Sequence, residues 1–243
     1  GNALANDHAD ADHAIGRALA ALRFTVGGDR RVREGDWAVR RGRELGTSTV
    51  GIVGFGRIGQ GVARRLSGFG TRVLAADPFM TDAQIAALGA VPASLAAIAT
   101  ESDIVSLHAP GGHVVADNAW LASAKAGMLL VNTARPDLVD ERALADALRS
   151  GRLGGFAADT LHGDTAGSHD SPLLAADLGD RVVITPHLGA QTVQAIDNMG
   201  RIAVENTLAV LEGVVPPNPV NTVPLRSVVV PPRNSPNMKD SRR

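Results

Sequence analysis

A chain of 243 residues with 44% hydrophobic content is long enough for one large domain or two small ones around a substantial core. Its formal net charge of −1 provides no general field toward nucleic acid or an acidic membrane surface, so neither partner is expected. The absence of cysteine excludes a disulfide framework, a thiolate nucleophile and a cysteine-ligated metal, and runs such as "GMLLV" are far too short to span a bilayer.

In chain order, residues 1 to 20 carry acids and histidines where a secretory signal would need an apolar segment, and a cytoplasmic location is expected by elimination. The first residue is Gly1, which leads us to expect a fragment or processed form. Residues 3 to 23 place Ile15, Leu19 and Leu22 on one helical face, in a helix made unusually polar by Asp7, Asp10 and Asp12. The charged stretch 28 to 45 reads as a solvated loop with Trp37 packed inward. Six apolar runs follow, at 49–53, 72–76, 103–107, 128–132, 154–158 and 181–185, and none shows polar alternation, as expected for strands covered on both faces. Helical segments at 57–70, 82–90 and 140–151 lie between them, so the order predicts an α/β fold with a doubly wound parallel sheet. A second long helix at 191–212 carries Ile196, Ile202, Val204, Leu208 and Leu211 at near-helical spacing. Residues 1–222 thus read as one α/β domain with flanking helices, and 223–243, rich in proline, serine and charge, as a flexible tail.

The stretch "TVGIVGFGRIGQGVARRL" sets Gly54, Gly56 and Gly59 between a predicted strand and a predicted helix. In such a G-x-G-x-x-G turn Gly54 turns tightly, Gly56 admits a pyrophosphate to the backbone, and Gly59 lets the helix approach the sheet. The amides of Arg57 and Ile58 then sit at a helix N-terminus that favours phosphate. Asp77 ends the second run, roughly 20 residues on, where a carboxylate would hold the adenosine ribose and repel a ribose phosphate; NAD is therefore favoured over NADP.

Ligands of open parallel sheets bind beyond the carboxyl ends of the strands. There the sequence places His108, the segment from Asn132 to Arg135, Asp159 and His187. Four ordered stretches, "VGIVGFGRIGQGVARRLSGFGTRVLAADP", "DIVSLHAP", "LLVNTARPDLVDERALADALRSGRLGGFAAD" and "TPHLGAQT", make the chain resemble the D-isomer-specific 2-hydroxyacid dehydrogenases from residue 1 to about 221. The resemblance implies hydride transfer between NAD and a small 2-hydroxy or 2-keto acid such as 3-phosphoglycerate, hydroxypyruvate or glyoxylate. Arg135 matches the arginine that binds the substrate carboxylate and polarises the keto group, a task suited to a planar guanidinium. His187 matches the acid/base, a role open to imidazole near neutral pH. Asp164 stands where the family has the glutamate that orients this histidine, and Asp159 matches the residue facing the nicotinamide amide. His108, Ala109 and Pro110 resemble the family's lining of the cofactor cleft, as do Thr133, Ala134 and Gly189 within their motifs.

His113, His162 and His169 lie in polar loops without metal-ligand spacing, and no metal is expected. Pro136 stands where the family has glycine and biases Arg135 toward an extended backbone. Family members also carry roughly 100 residues before this point, forming most of a substrate domain. Without them the expectation is weak NAD binding and poor turnover. A non-catalytic NAD-sensing module is the alternative from another class. The resemblance further implies a homodimer through the flanking helices.

Overall fold

A computed structural model of the chain describes residues 3–163 and 170–219. The chain divides into two units, Gly1–Ile196 and Asp197–Arg243. The first opens with helix α1 (Ala3–Leu22), whose buried stripe consists of small residues, Ala11, Ala14, Ala18 and Ala21. Small side chains permit close approach of a neighbouring helix. Phe24, in the left-handed region at φ 53°, ends this helix and starts α2 (Thr25–Arg33). Part of the stretch expected as a loop is therefore helical, supported by an Asp29–Arg33 ion pair one turn apart at 2.9 Å. Trp37 is 77% exposed rather than packed inward. The aromatic covered in this region is instead the half-buried Phe24, with the Arg40 guanidinium 4.2 Å above its ring.

The sheet comprises β1 (Thr49–Val53), β2 (Arg72–Ala76), β3 (Val91–Pro92), β4 (Ile104–Leu107), β5 (Met128–Asn132), β6 (Leu153–Ala158) and β7 (Val182–Ile184). All pairs are parallel and the order is β3-β2-β1-β4-β5-β6-β7. The expected doubly wound sheet is thus observed. The six apolar runs form six of its strands, and β3 is an additional two-residue edge, a position where Pro92 is tolerated.

Side chains alternate across the sheet. Val50, Ile52, Val73, Ala75, Leu129 and Val131 bury one face against α1 and α3 (Arg57–Ser67). The short helix α4 (Asp82–Ala87) adds Ile85 to this layer and is closed by a Thr81–Gln84 capping box. Val53, Leu74, Val105, Leu107, Leu130 and Phe156 bury the other face. They meet Ile98 of α5 (Leu95–Glu101), Leu121 of α6 (Asn118–Ser123), and Leu144 and Leu148 of α7 (Glu141–Arg149). Ser94, Asp117 and Asp140 cap these three helices by accepting first-turn amides.

Helix α8 (Val193–Leu211), expected at 191–212, starts in the first unit. Its continuation in the second unit is held internally by an Arg201–Glu205 ion pair at 2.7 Å, and Asn206 accepts the Asn218 amide at 3.3 Å. Val204, Leu208 and Leu211 are exposed. The stretch 223–243, read as a tail, lies outside the described residues. Among the described residues no helix is long and apolar enough to cross a membrane.

Candidate active site

The strand order reverses between β1 and β4, and the turn after β1 is built for close approach at that point. Gly54 sits at φ 89°, and a Cβ there would lie 2.5 Å from the Ala109 amide. A Cβ on Gly59 would lie 2.3 Å from the Gly54 carbonyl oxygen, so α3 packs as near to the turn as a backbone allows. Gly56 differs from both: no atom of the chain lies within 4 Å of a Cβ built there, and its φ is an ordinary −72°. It is the N-cap of α3 and supplies no side-chain acceptor. The first-turn amides, including those of Arg57 and the half-buried Ile58, have no helical partner and add to the positive end of the dipole. Open space over a helix N-terminus with unpaired amide donors fits a pyrophosphate.

Asp77 is fixed from two sides. Its Oδ2 accepts the Phe55 amide at 2.7 Å and its Oδ1 accepts the Phe79 amide at 2.9 Å. Each carboxylate oxygen retains a lone pair, so the residue can still accept ribose hydroxyls while bracing the glycine turn.

On the other side of the switch point, His108 donates its backbone amide to Val53 at 2.7 Å, and its Nε2 lies 2.8 Å from Ser106 Oγ. Burial pushes the imidazole down to about 4, so the ring is neutral at pH 7. Ala109 is half-buried and Pro110 exposed beside it.

After β5, the buried Asn132 shapes the turn. Its Oδ1 accepts the Ala134 amide at 3.1 Å and its Nδ2 donates to the Arg135 carbonyl at 2.8 Å. Thr133 Oγ1 is buried without a hydrogen-bond partner, as for a hydroxyl that awaits a ligand. Arg135 is exposed and extended at φ −140°, ψ 139°, the bias expected before Pro136. Its guanidinium donates to the Ala134 carbonyl at 2.7 Å.

The carboxyl ends of β6 and β7 are joined through Asp159, which is 1% exposed. Its Oδ1 accepts from Thr185 Oγ1 at 2.5 Å and the Leu188 amide at 2.8 Å, and its Oδ2 accepts the Gly189 amide at 2.8 Å. The Asp159 carbonyl accepts the His187 amide at 3.0 Å. These bonds hold His187 at φ 57°, a left-handed conformation unfavourable for a residue with a Cβ. Desolvation works against the Asp159 charge, yet hydrogen bonds from His13, Thr185, Leu188 and Gly189 outweigh it and hold the carboxyl down at about 2.

One of these neighbours, His13, comes from α1 and was not anticipated from sequence, and neither was Asp10 on the same helix. His13 Nε2 lies 3.0 Å from both Asp159 Oδ1 and Thr185 Oγ1. Asp10, one turn earlier, is half-buried. Desolvation and the Asp159 charge raise its carboxyl, while His13, His187 and Arg135 act in the opposite direction. Arg135, Asp159 and His187 therefore converge electrostatically on one region. Asp164 lies outside the described residues. Glu141 holds the flanks of its segment, accepting from the His162 amide at 2.8 Å and Ser171 Oγ at 2.6 Å.

Comparison with known proteins agrees with this geometry. Residues 15–189 match the model of the D-isomer specific 2-hydroxyacid dehydrogenase, NAD binding domain. The chain is 40% identical over 221 residues to D-3-phosphoglycerate dehydrogenase of Mycobacterium tuberculosis, covering 89% of this chain but 41% of that protein. It is 37% identical over 221 residues to glyoxylate reductase of Korarchaeum cryptofilum, covering 87% and 65% respectively. Among solved structures, D-lactate dehydrogenase from Aquifex aeolicus, complexed with NAD and lactic acid, superimposes with a TM-score of 0.76 at 28% identity, covering 85% of this chain and 67% of that one. The chain thus spans less than half the length of the mycobacterial relative. With the glycine turn, the strand order and the family match in agreement, the chain belongs to the D-isomer specific 2-hydroxyacid dehydrogenase family and contains its NAD-binding domain.

Proposed function

We propose that this protein binds NAD along the carboxyl edge of its sheet and serves an NAD-dependent oxidoreductase acting on a small D-2-hydroxy acid or its 2-keto counterpart. The observation that carries the reading is the Asp159 bridge, which fixes the strained His187 turn beyond the carboxyl ends of the strands, on the sheet edge that also holds Gly56, Asp77 and Arg135. Bound NAD would supply the hydride acceptor or donor. The amides behind Gly56 would hold its diphosphate, and Asp77 its adenosine ribose. His108 would line the cleft as a neutral ring, together with Ala109, Pro110, Thr133, Ala134 and Gly189.

Arg135 would take the substrate carboxylate through paired hydrogen bonds, releasing its present bond to the Ala134 carbonyl. His187 would take the hydroxyl proton during oxidation and return it to the carbonyl oxygen during reduction. Asp164, in this reading, assists His187. Asp159 keeps the imidazole aimed by fixing the backbone on either side of it. The substrates to test are 3-phosphoglycerate, hydroxypyruvate and glyoxylate.

The test is fluorescence titration with NADH, followed by NADH oxidation in the presence of hydroxypyruvate or glyoxylate and NAD reduction in the presence of 3-phosphoglycerate. His187→Asn should leave NADH affinity within about twofold while lowering turnover by about a hundredfold or more. NADH binding without reduction of any keto acid would favour the NAD-sensing module, and absence of NADH binding would overturn both readings.

A further inference from the structure

One side chain of α1 reaches the hydrogen bonds that hold the His187 turn. His13 Nε2 lies 3.0 Å from both Asp159 Oδ1 and Thr185 Oγ1. The other contacts of the Thr185 hydroxyl are Asp159 Oδ1 at 2.5 Å and the Ala158 carbonyl at 3.4 Å, both acceptors that take its single proton. Toward His13 the hydroxyl is therefore an acceptor, like the carboxylate beside it. Two acceptors facing Nε2 require that this nitrogen carry a proton and donate it. Asp159 passes the constraint on: its Oδ1 accepts the Leu188 amide, its Oδ2 the Gly189 amide, both at 2.8 Å, and its carbonyl the His187 amide. His13 is thus the outermost link of a chain of bonds that ends on the backbone at and after His187. Helix α1 does not need this bond to stay docked, because Ala11, Ala14 and Ala18 are buried in the core against the sheet. It also backs the turn directly, since a Cβ built on Gly189 would stand 2.6 Å from Asp10 Oδ1.

We propose that His13 is a positioning residue for hydride transfer: its Nε2–H fixes the Asp159 carboxylate in the orientation that grips the Leu188 and Gly189 amides, and so keeps the His187 turn in place. The part it plays in the reaction rests on the reading of His187 as the acid/base. Without His13 the carboxylate retains one side-chain donor, Thr185, and is free to turn about its Cβ–Cγ bond away from one of the two amides. A left-handed φ such as the 57° of His187 persists only while its surroundings over-determine it. A loosened turn relaxes, and the imidazole loses its aim at the reacting oxygen, which lowers turnover more than it weakens cofactor binding. A residue that only docked α1 would loosen the first unit as a whole.

The experiment uses the full 243-residue chain and reads amide hydrogen exchange by NMR, which needs no ligand. His13→Ala should speed exchange at Leu188 and Gly189 by about tenfold or more beyond any change at Ile52 and Val131 in the central strands. His13→Leu, which keeps bulk without a donor, should behave in the same way. His13→Gln, whose amide nitrogen can donate from nearly the same place, should return Leu188 and Gly189 to within about threefold of wild type. Equal acceleration at all four amides, no acceleration at the turn, or no recovery in His13→Gln overturns the proposal.

A second measurement follows NADH oxidation with hydroxypyruvate or glyoxylate. His13→Ala and His13→Leu should lower kcat by about tenfold while KM for NADH stays within about threefold, and His13→Gln should recover most of the loss. A change in KM alone, or full turnover in His13→Ala, overturns the positioning role. Absence of turnover in wild type overturns the dehydrogenase reading and with it the part of His13 in the reaction. Turnover in wild type with an unmoved exchange rate at Leu188 and Gly189 overturns the His13 assignment alone.

Discussion

His108 and Asp159, at the carboxyl ends of β4 and β6, are two groups whose ionisation the fold moves for different reasons. Burial keeps the His108 ring neutral, because a charged imidazole would lose hydration that one Ser106 contact cannot replace. The unfolded chain takes up this proton near 6.5 and the folded chain only near about 4, so the folded state loses stability as pH falls between those values and loses none above them. His108→Gln should therefore lose less melting temperature than wild type between pH 7 and pH 4.5, as followed by circular dichroism. Asp159 has the opposite dependence. Its depressed carboxyl contributes stability that is present above 3.8 and disappears toward about 2. Asp159→Asn breaks the bridge at neutral pH and should destabilise the protein by about 1–3 kcal/mol in urea unfolding. His187→Asn, which keeps that bridge, should unfold within about 0.5 kcal/mol of wild type. Much of this residue-level chemistry was legible, because Arg135, Asp159 and His187 each stand at the end of a recognisable strand. His13 and Asp10 were not, since His13 meets a partner 172 residues away and a polar helix face gives no sign of what it will touch.

At the scale of elements, the glycine turn separates binding from folding. Gly59→Ala drives a methyl into the Gly54 carbonyl and should cost about 1–3 kcal/mol, read from the urea midpoint. Gly56→Ala places a methyl in open space at an ordinary φ. It should leave stability within about 0.5 kcal/mol while weakening NADH by tenfold or more. Equal loss of stability in the two variants would mean that Gly56 is structural and that no diphosphate lies over it. The longer strands were readable because they are unbroken apolar runs buried on both faces, α7 because its Asp140 cap and apolar spacing agree, and α3 because its apolar spacing runs between glycines. The elements that escaped notice are short. The six- and seven-residue helices α6 and α5 offer one or two turns of pattern, although their caps Asp117 and Ser94 are plain in the sequence. The two-residue β3 has no periodicity, and α2 is obscured by its charge. Trp37 was misplaced because its size alone suggests a core, whereas the arm that carries it presents no apolar face to receive it.

Across the whole of the first unit, the two ends of the proposed dinucleotide site differ in how far along the chain their parts are gathered. The adenosine end lies within residues 49–77, one strand-helix-strand stretch closed by the Asp77 to Phe55 bond. The nicotinamide end joins α1, β5, β6 and β7 through His13, the Asn132 carbonyl that accepts the Asp159 amide, the Asp159 carboxylate and the turn after β7. Bringing distant segments together costs more chain entropy than closing a local unit, so partial opening should begin where α1 meets the last strands. Under mild urea, affinity for adenosine diphosphate should outlast the added affinity that the nicotinamide half gives NADH. A nascent chain would likewise gain its nucleotide grip well before the residues that aim a proton, leaving an early folding intermediate able to hold the cofactor but not to use it.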